Sequence, residues 1–135
     1  MPGLMTAGVN LQNIHMEDWH LPFLLAAGIT AADVGKAVTM DTVANTVKLA
    51  GDDDEILGRL ETVEIRTTEG INVGTVAQKG VLNLPYTGTA PTPTSQVVGS
   101  ATPGVVKVAG TPAVGRRNIV VDRNTAKSAV TVILL

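Results

Sequence analysis

Apolar and polar positions alternate along most of this chain, and the alternation sets in at residue 36. In "KAVTMD" (36–41) Val38 and Met40 share one face, and in "NTVKLA" (45–50) Val47 and Leu49 do the same. A period of two marks half-buried strands, and "TVAN" between them reads as a hairpin connection. "ILGRLETVEIR" (56–66) predicts a longer strand with a fault in it. Ile56, Gly58 and Leu60 fall on one face, Val63 and Ile65 on the other, so a bulge or bend is expected near Glu61-Thr62. "INVGTVAQKGVLNLPY" (71–86) predicts one long or two short strands, interrupted at Gly74 and Gly80. "QVVGSA", "GVVKVAG", "RNIVVDRN" and "KSAVTVILL" follow, separated by "TPG", "GTPAVG" and "DRNTAK". About eight short strands with turns every eight to twelve residues suit a compact antiparallel β-sandwich or a closed barrel of jelly-roll-like type.

Two stretches break the pattern. Residues 1–25 show no strand-type alternation and predict at most a short helix from about Leu11 to His20, ended near Pro22. They carry too many apolar groups for a solvated tail, so they are expected to form an extended N-terminal docking arm ahead of a β domain at 26–135. Thr30 and Asp33 form a capping-box-like start for a single helical turn at the head of that domain. "TGTAPTPTSQ" (87–96) is uncharged and rich in Thr and Pro. It predicts an extended, exposed loop.

Composition supports the β assignment. There are 19 Val and 17 Thr, both branched at Cβ, against one Trp, one Tyr and one Phe. A core without aromatic rings gains less per residue, so an oligomer or a partner surface is expected to add stability. With 44% hydrophobic and 16% charged residues the chain is not disordered in character. Its net charge of −2 and the lack of a basic stripe argue against nucleic-acid binding. With no cysteine there are no disulfides or thiolate sites. "LPFLLAAGI" (21–29) is too short to span a bilayer, and Glu17 and Asp18 stand where a signal peptide wants basic residues. The expectation is a soluble chain beginning at Met1.

Candidate chemistry is thin. "HMEDWH" (15–20) holds both histidines and the tryptophan. Their spacing of five turns the rings about 140° apart on a helix, whereas a zinc pair wants a spacing of four and a third ligand. The sequence therefore predicts no metal, no cofactor and no catalytic set here. Aromatic anchors favour interface centres, and the expected partner contacts are Leu11, Ile14, His15, Trp19, His20, Phe23, Leu24 and Leu25. "GDDDE" (51–55) has contiguous carboxylates without the alternating ligands of a calcium loop, and reads as a solvated turn. The glycines of "EGINVG" and "AGTPAVG" fit turns, not a dinucleotide site, and none of the three serines lies in a nucleophile elbow.

Residues 29–86 carry a resemblance. Through "DVGKAVTMD", "NTVKLAGDDDEILGRLETVE" and "GTVAQKGVLNLP" the chain resembles the small capsid decoration, or cement, proteins of tailed bacteriophages. The resemblance implies a non-enzymatic virion protein on the outer surface of an icosahedral head. Its partner would be a major capsid protein of HK97-like shell type, clamped by a homo-dimer or homo-trimer against the pressure of packaged DNA, with no direct nucleic acid and no membrane contact. The alternative is a receptor- or carbohydrate-binding β-sandwich on a virion or cell surface. That alternative lacks the usual aromatic platforms, since Tyr86 is the only aromatic beyond residue 25.

Overall fold

The computed structural model describes residues 19–110 and 118–134, and all regular elements there are strands apart from one 3-10 turn. The strands are β1 (Trp19–Leu25), β2 (Ala37–Met40), β3 (Thr46–Leu49), β4 (Gly58–Arg66), β5 (Ile71–Pro85), β6 (Val97–Gly99), β7 (Val106–Val108), β8 (Asn118–Asn124) and β9 (Ala129–Leu134). The alternation of 36–50 becomes the β2–β3 hairpin, where Val38 faces Leu49 and Met40 faces Val47. β2 also pairs with β4, β4 with β5, and β5 with β1, all antiparallel. β1 closes the ring by a short parallel pairing with β3, through Leu24 to Thr46 and Leu25 to Val47. The product is a small five-stranded barrel filled by Leu25, Ile29, Val38, Val47, Leu60 and Val76.

β5 runs on beyond the barrel as a single strand of 15 residues. Its first part pairs with β4 and β1, and from Gly80 onward it pairs with β9, which pairs with β8. Gly80 marks the handover with φ +114, a conformation that L side chains rarely adopt. β6 and β7 form a separate two-stranded ribbon, tied to the end of β5 by a bridge between Tyr86 and Val106. A second core lies between these pieces and the outside of the barrel. It includes Leu82, Leu84, Val97, Val106, Val120, Val130, Val132 and Leu134, together with Ala37, Ala50 and Ala77 from the barrel or its margin.

The phase fault expected near Glu61-Thr62 is a register shift between Leu60 and Thr62. Leu60 and Val63 are three apart, so an uninterrupted strand would put them on opposite faces. The shift lets both pack on the barrel core.

Three expectations need correction. The division at residues 25 and 26 is wrong for Trp19–Leu25, which form β1 inside the sheet. The expected helix is likewise excluded at Trp19 and His20, while its remaining residues lie outside the described residues. Pro22 suggested a helix end, yet it sits where a strand tolerates proline. Leu24 and Ala26 donate their N–H groups to Asn45 and Val47 on the β3 side. Alternation turns residue 22 to that same side, where its β5 partner is not the acceptor and the β3 register has not begun. Nor is 87–96 wholly exposed. Pro91 is buried and Ala90 packs on the second core. Thr94 donates to the Val120 carbonyl at 2.9 Å, and Ser95 accepts from the Val120 N–H at 2.8 Å. This segment straps the free edge of β8.

Asn118 does the same for the ribbon. It is 2% exposed, its Oδ1 accepts from the Val97 N–H at 2.8 Å, and its Nδ2 donates to the Val97 carbonyl at 3.1 Å. The carboxamide thus stands in for a peptide group and joins β8 to β6. Asn118→Ala leaves both Val97 groups unpaired in the interior and should cost about 3 kcal/mol in urea unfolding. An unchanged midpoint would show the bond to be dispensable.

The Thr30–Asp33 box is present. The Asp33 carboxylate accepts from the Thr30 N–H at 2.8 Å and pairs with Lys36 Nζ at 2.9 Å. The Thr30 backbone donor, then the Lys36 ammonium, hold the Asp33 carboxyl below its ordinary range. A depressed folded-state pKa stabilises the protein above the unfolded value and the benefit fades as pH falls through the folded one. Asp33→Ala should therefore lower stability at pH 7 by about 1 kcal/mol. The gap between mutant and parent should narrow below about pH 4, as read by thermal melts across pH.

Candidate functional site

The expected contact residues separate once β1 is in the sheet. Leu11, Ile14, His15 and the Trp19 side chain lie outside the described residues. The Trp19 backbone pairs with Lys79. His20 and Leu21 are exposed, Leu21 at 44%. Phe23 is half-buried and packs on the barrel core, and Leu25 belongs to that core at 7% exposure. A side chain at Gly74 would meet both Leu25 methyl groups, so the Leu25 side chain fills the barrel and offers little surface to a partner. Leu24, half-buried, points to a different place: it helps to floor a surface groove.

That groove, of about 380 Å³, was not legible as a site in the sequence. Residues 24–27 form its floor where β1 ends. Asp41, Val43 and Thr46 of the β2–β3 connection line one side, and residues 70–72 at the start of β5 line the other. Val43 is 59% exposed and Ile71 38%. Ile65 pairs with Asn72, so one more exposed apolar side chain stands beside that lining residue. The one available signal was Val43 itself, an aliphatic residue in a hairpin connection where Gly, Asn and Asp are usual.

The acidic turn has a structural role. The Gly51 N–H donates to Asp54 Oδ2 at 2.8 Å, the Asp53 N–H donates to the Gly99 carbonyl at 2.9 Å, and the Gly99 N–H returns to the Asp54 carbonyl at 2.8 Å. The turn therefore docks on β6. Lys107 Nζ lies 2.7 Å from Asp52 and 3.1 Å from Asp53, and Lys48 lies 3.9 Å from Asp54. The Asp52 and Asp53 carboxylates raise the Lys107 pKa above its ordinary value. Lysines already answer these carboxylates. Among the described residues no group of three His, Cys, Asp or Glu side chains is placed to share a metal ion, and no helix is long and apolar enough to cross a membrane.

Core and surface roles on β1 are separable by truncation. Leu25→Ala should cost about 2–4 kcal/mol through loss of barrel packing. Leu21→Ala should cost under about 1 kcal/mol. Equal losses in denaturant unfolding would contradict this assignment.

No family model matches the chain, and no curated protein matches it.

Proposed function

We propose that the protein is a capsid decoration protein, a non-enzymatic cement that binds the outer surface of an icosahedral phage head. The observation that carries this reading is where the resemblance falls. "DVGKAVTMD" contains β2, "NTVKLAGDDDEILGRLETVE" spans β3, the acidic turn and most of β4, and "GTVAQKGVLNLP" is the body of β5. The residues that resemble cement proteins thus fall on four of the five barrel strands, all but β1. Around that barrel, Leu21, Met40, Val43, Ile65 and Ile71 leave apolar surface for a partner.

On this reading the work is mechanical. Each subunit of a homo-dimer or homo-trimer makes a modest contact with the major capsid protein. Once one contact forms, the next are effectively intramolecular, and avidity rises without new chemistry. Such bridging holds neighbouring shell subunits together while packaged DNA presses outward. Residues 1–18, with Leu11, Ile14 and His15, serve as the docking segment, joined at Trp19 to a strand that the barrel holds rigidly. His20 lies on the exposed start of β1.

The test follows from where β1 begins. Removing residues 1–18 should leave the urea midpoint within about 0.5 kcal/mol of the parent's stability, and reduce occupancy on expanded heads at least tenfold in co-sedimentation. Removing 1–25 also takes β1 and should unfold the barrel. Normal occupancy after removal of 1–18 would contradict the docking role.

A further inference from the structure

We propose that the groove between the β2–β3 connection and the start of β5 is a receptor for one basic side chain, lysine or arginine, presented by a partner protein. This goes beyond the decoration reading and stands or falls without it, because it concerns the groove and not residues 1–18.

The first observation is an unanswered charge. Asp33, Asp52, Asp53, Asp54, Glu61, Glu64 and Glu69 each have a Lys or Arg nitrogen within 4.0 Å. Asp41, half-buried in the groove lining, has none among the described residues. Its Oδ1 accepts the Thr42 N–H at 2.7 Å and the Thr42 hydroxyl at 3.4 Å, which leaves Oδ2 unused by those residues. Across the groove, Asn72 adds a carboxamide that can accept one more N–H.

The second observation is the surroundings of that charge. Leu24, Val43 and Ile71 line the same space, and among the described residues no other ionisable side chain does. A neutral aliphatic group entering here would strip water from a carboxylate and give nothing back. An acidic group would be repelled. A small inorganic cation would leave the apolar walls unfilled. A lysine or arginine satisfies both halves, its methylene stem against Val43 and Ile71 and its cationic head on Asp41 Oδ2. The groove is open to solvent, so each contact is weak and becomes useful only when repeated around an oligomer.

Asp41→Asn separates charge from structure. Asparagine keeps an Oδ1 acceptor for the Thr42 N–H, so the hairpin and the urea midpoint should be unchanged. The uniformly 15N-labelled full chain is titrated with the capped pentapeptides Ala-Ala-Xaa-Ala-Ala, where Xaa is Lys, Arg, norleucine or Glu. The Lys or Arg peptide should move the amides of Val43, Thr46, Ile71 and Asn72 in a saturable way, and added salt should weaken the effect. Asp41→Asn should reduce affinity at least fivefold, and the norleucine and Glu peptides should leave those amides in place. Equal shifts with norleucine, unchanged binding by Asp41→Asn, or no shift with either basic peptide would overturn the proposal. The Lys and Arg arms identify which head group the site prefers.

Discussion

Everything in this fold leans on a wall that is buried on both sides. Val76 and Ala77 are consecutive in β5, and Val38 and Ala37 in β2, yet all four are at most 1% exposed. Successive strand residues point to opposite faces, so Val38 and Val76 fill the barrel while Ala37 and Ala77 meet the second core. The outer face is kept narrow. Alanine at 37, 50 and 77 lets the Val- and Leu-rich layer of β8, β9 and the ribbon come close, and Gly58 lies so near the Ala77 carbonyl that any side chain there would collide with it. Aliphatic burial at about 25 cal/mol per Å² is modest per residue. Two cores sharing one wall gain burial twice from the same strands, which suits a chain with three aromatic residues.

Local alternation carried much of this. The β2–β3 pairing could be read from Val38, Met40, Val47 and Leu49, and the β4 irregularity from the phase of Leu60 against Val63. β1 could not. Phe23 and Leu25 obey a period of two, but Leu24 between them is also apolar and Pro22 interrupts, because this strand has a barrel face, a groove face and an edge within seven residues. The strap was hidden for a related reason. The Thr/Pro composition of 87–96 says nothing about β8, some 25 residues away, whose Val120 backbone it satisfies. The groove was the least visible feature, since its walls come from three separate stretches and only the fold brings Leu24, Asp41 and Ile71 together.

Polar groups divide into those that hold the fold and those left over. Asn118 joins two sheets, Asp33 fixes the turn into β2, and Asp54 ties the acidic turn to β6. All three are architecture in the structure. Among the described residues Asp41 is spent only in part, and it lies beside aliphatic side chains that those residues leave exposed. Residual apolar surface on a small barrel has the character of an interaction face, and weak repeated contacts are what an oligomeric clamp uses.

The decoration reading is tested most directly by comparing image reconstructions of DNA-filled heads with and without the protein. Added density is expected on the outer face of the shell, where several capsid subunits meet. The β1 end at Trp19 should face the shell and the ribbon of β6 and β7 should lie farther out. Identical reconstructions, or density confined to the inside of the shell, would contradict it.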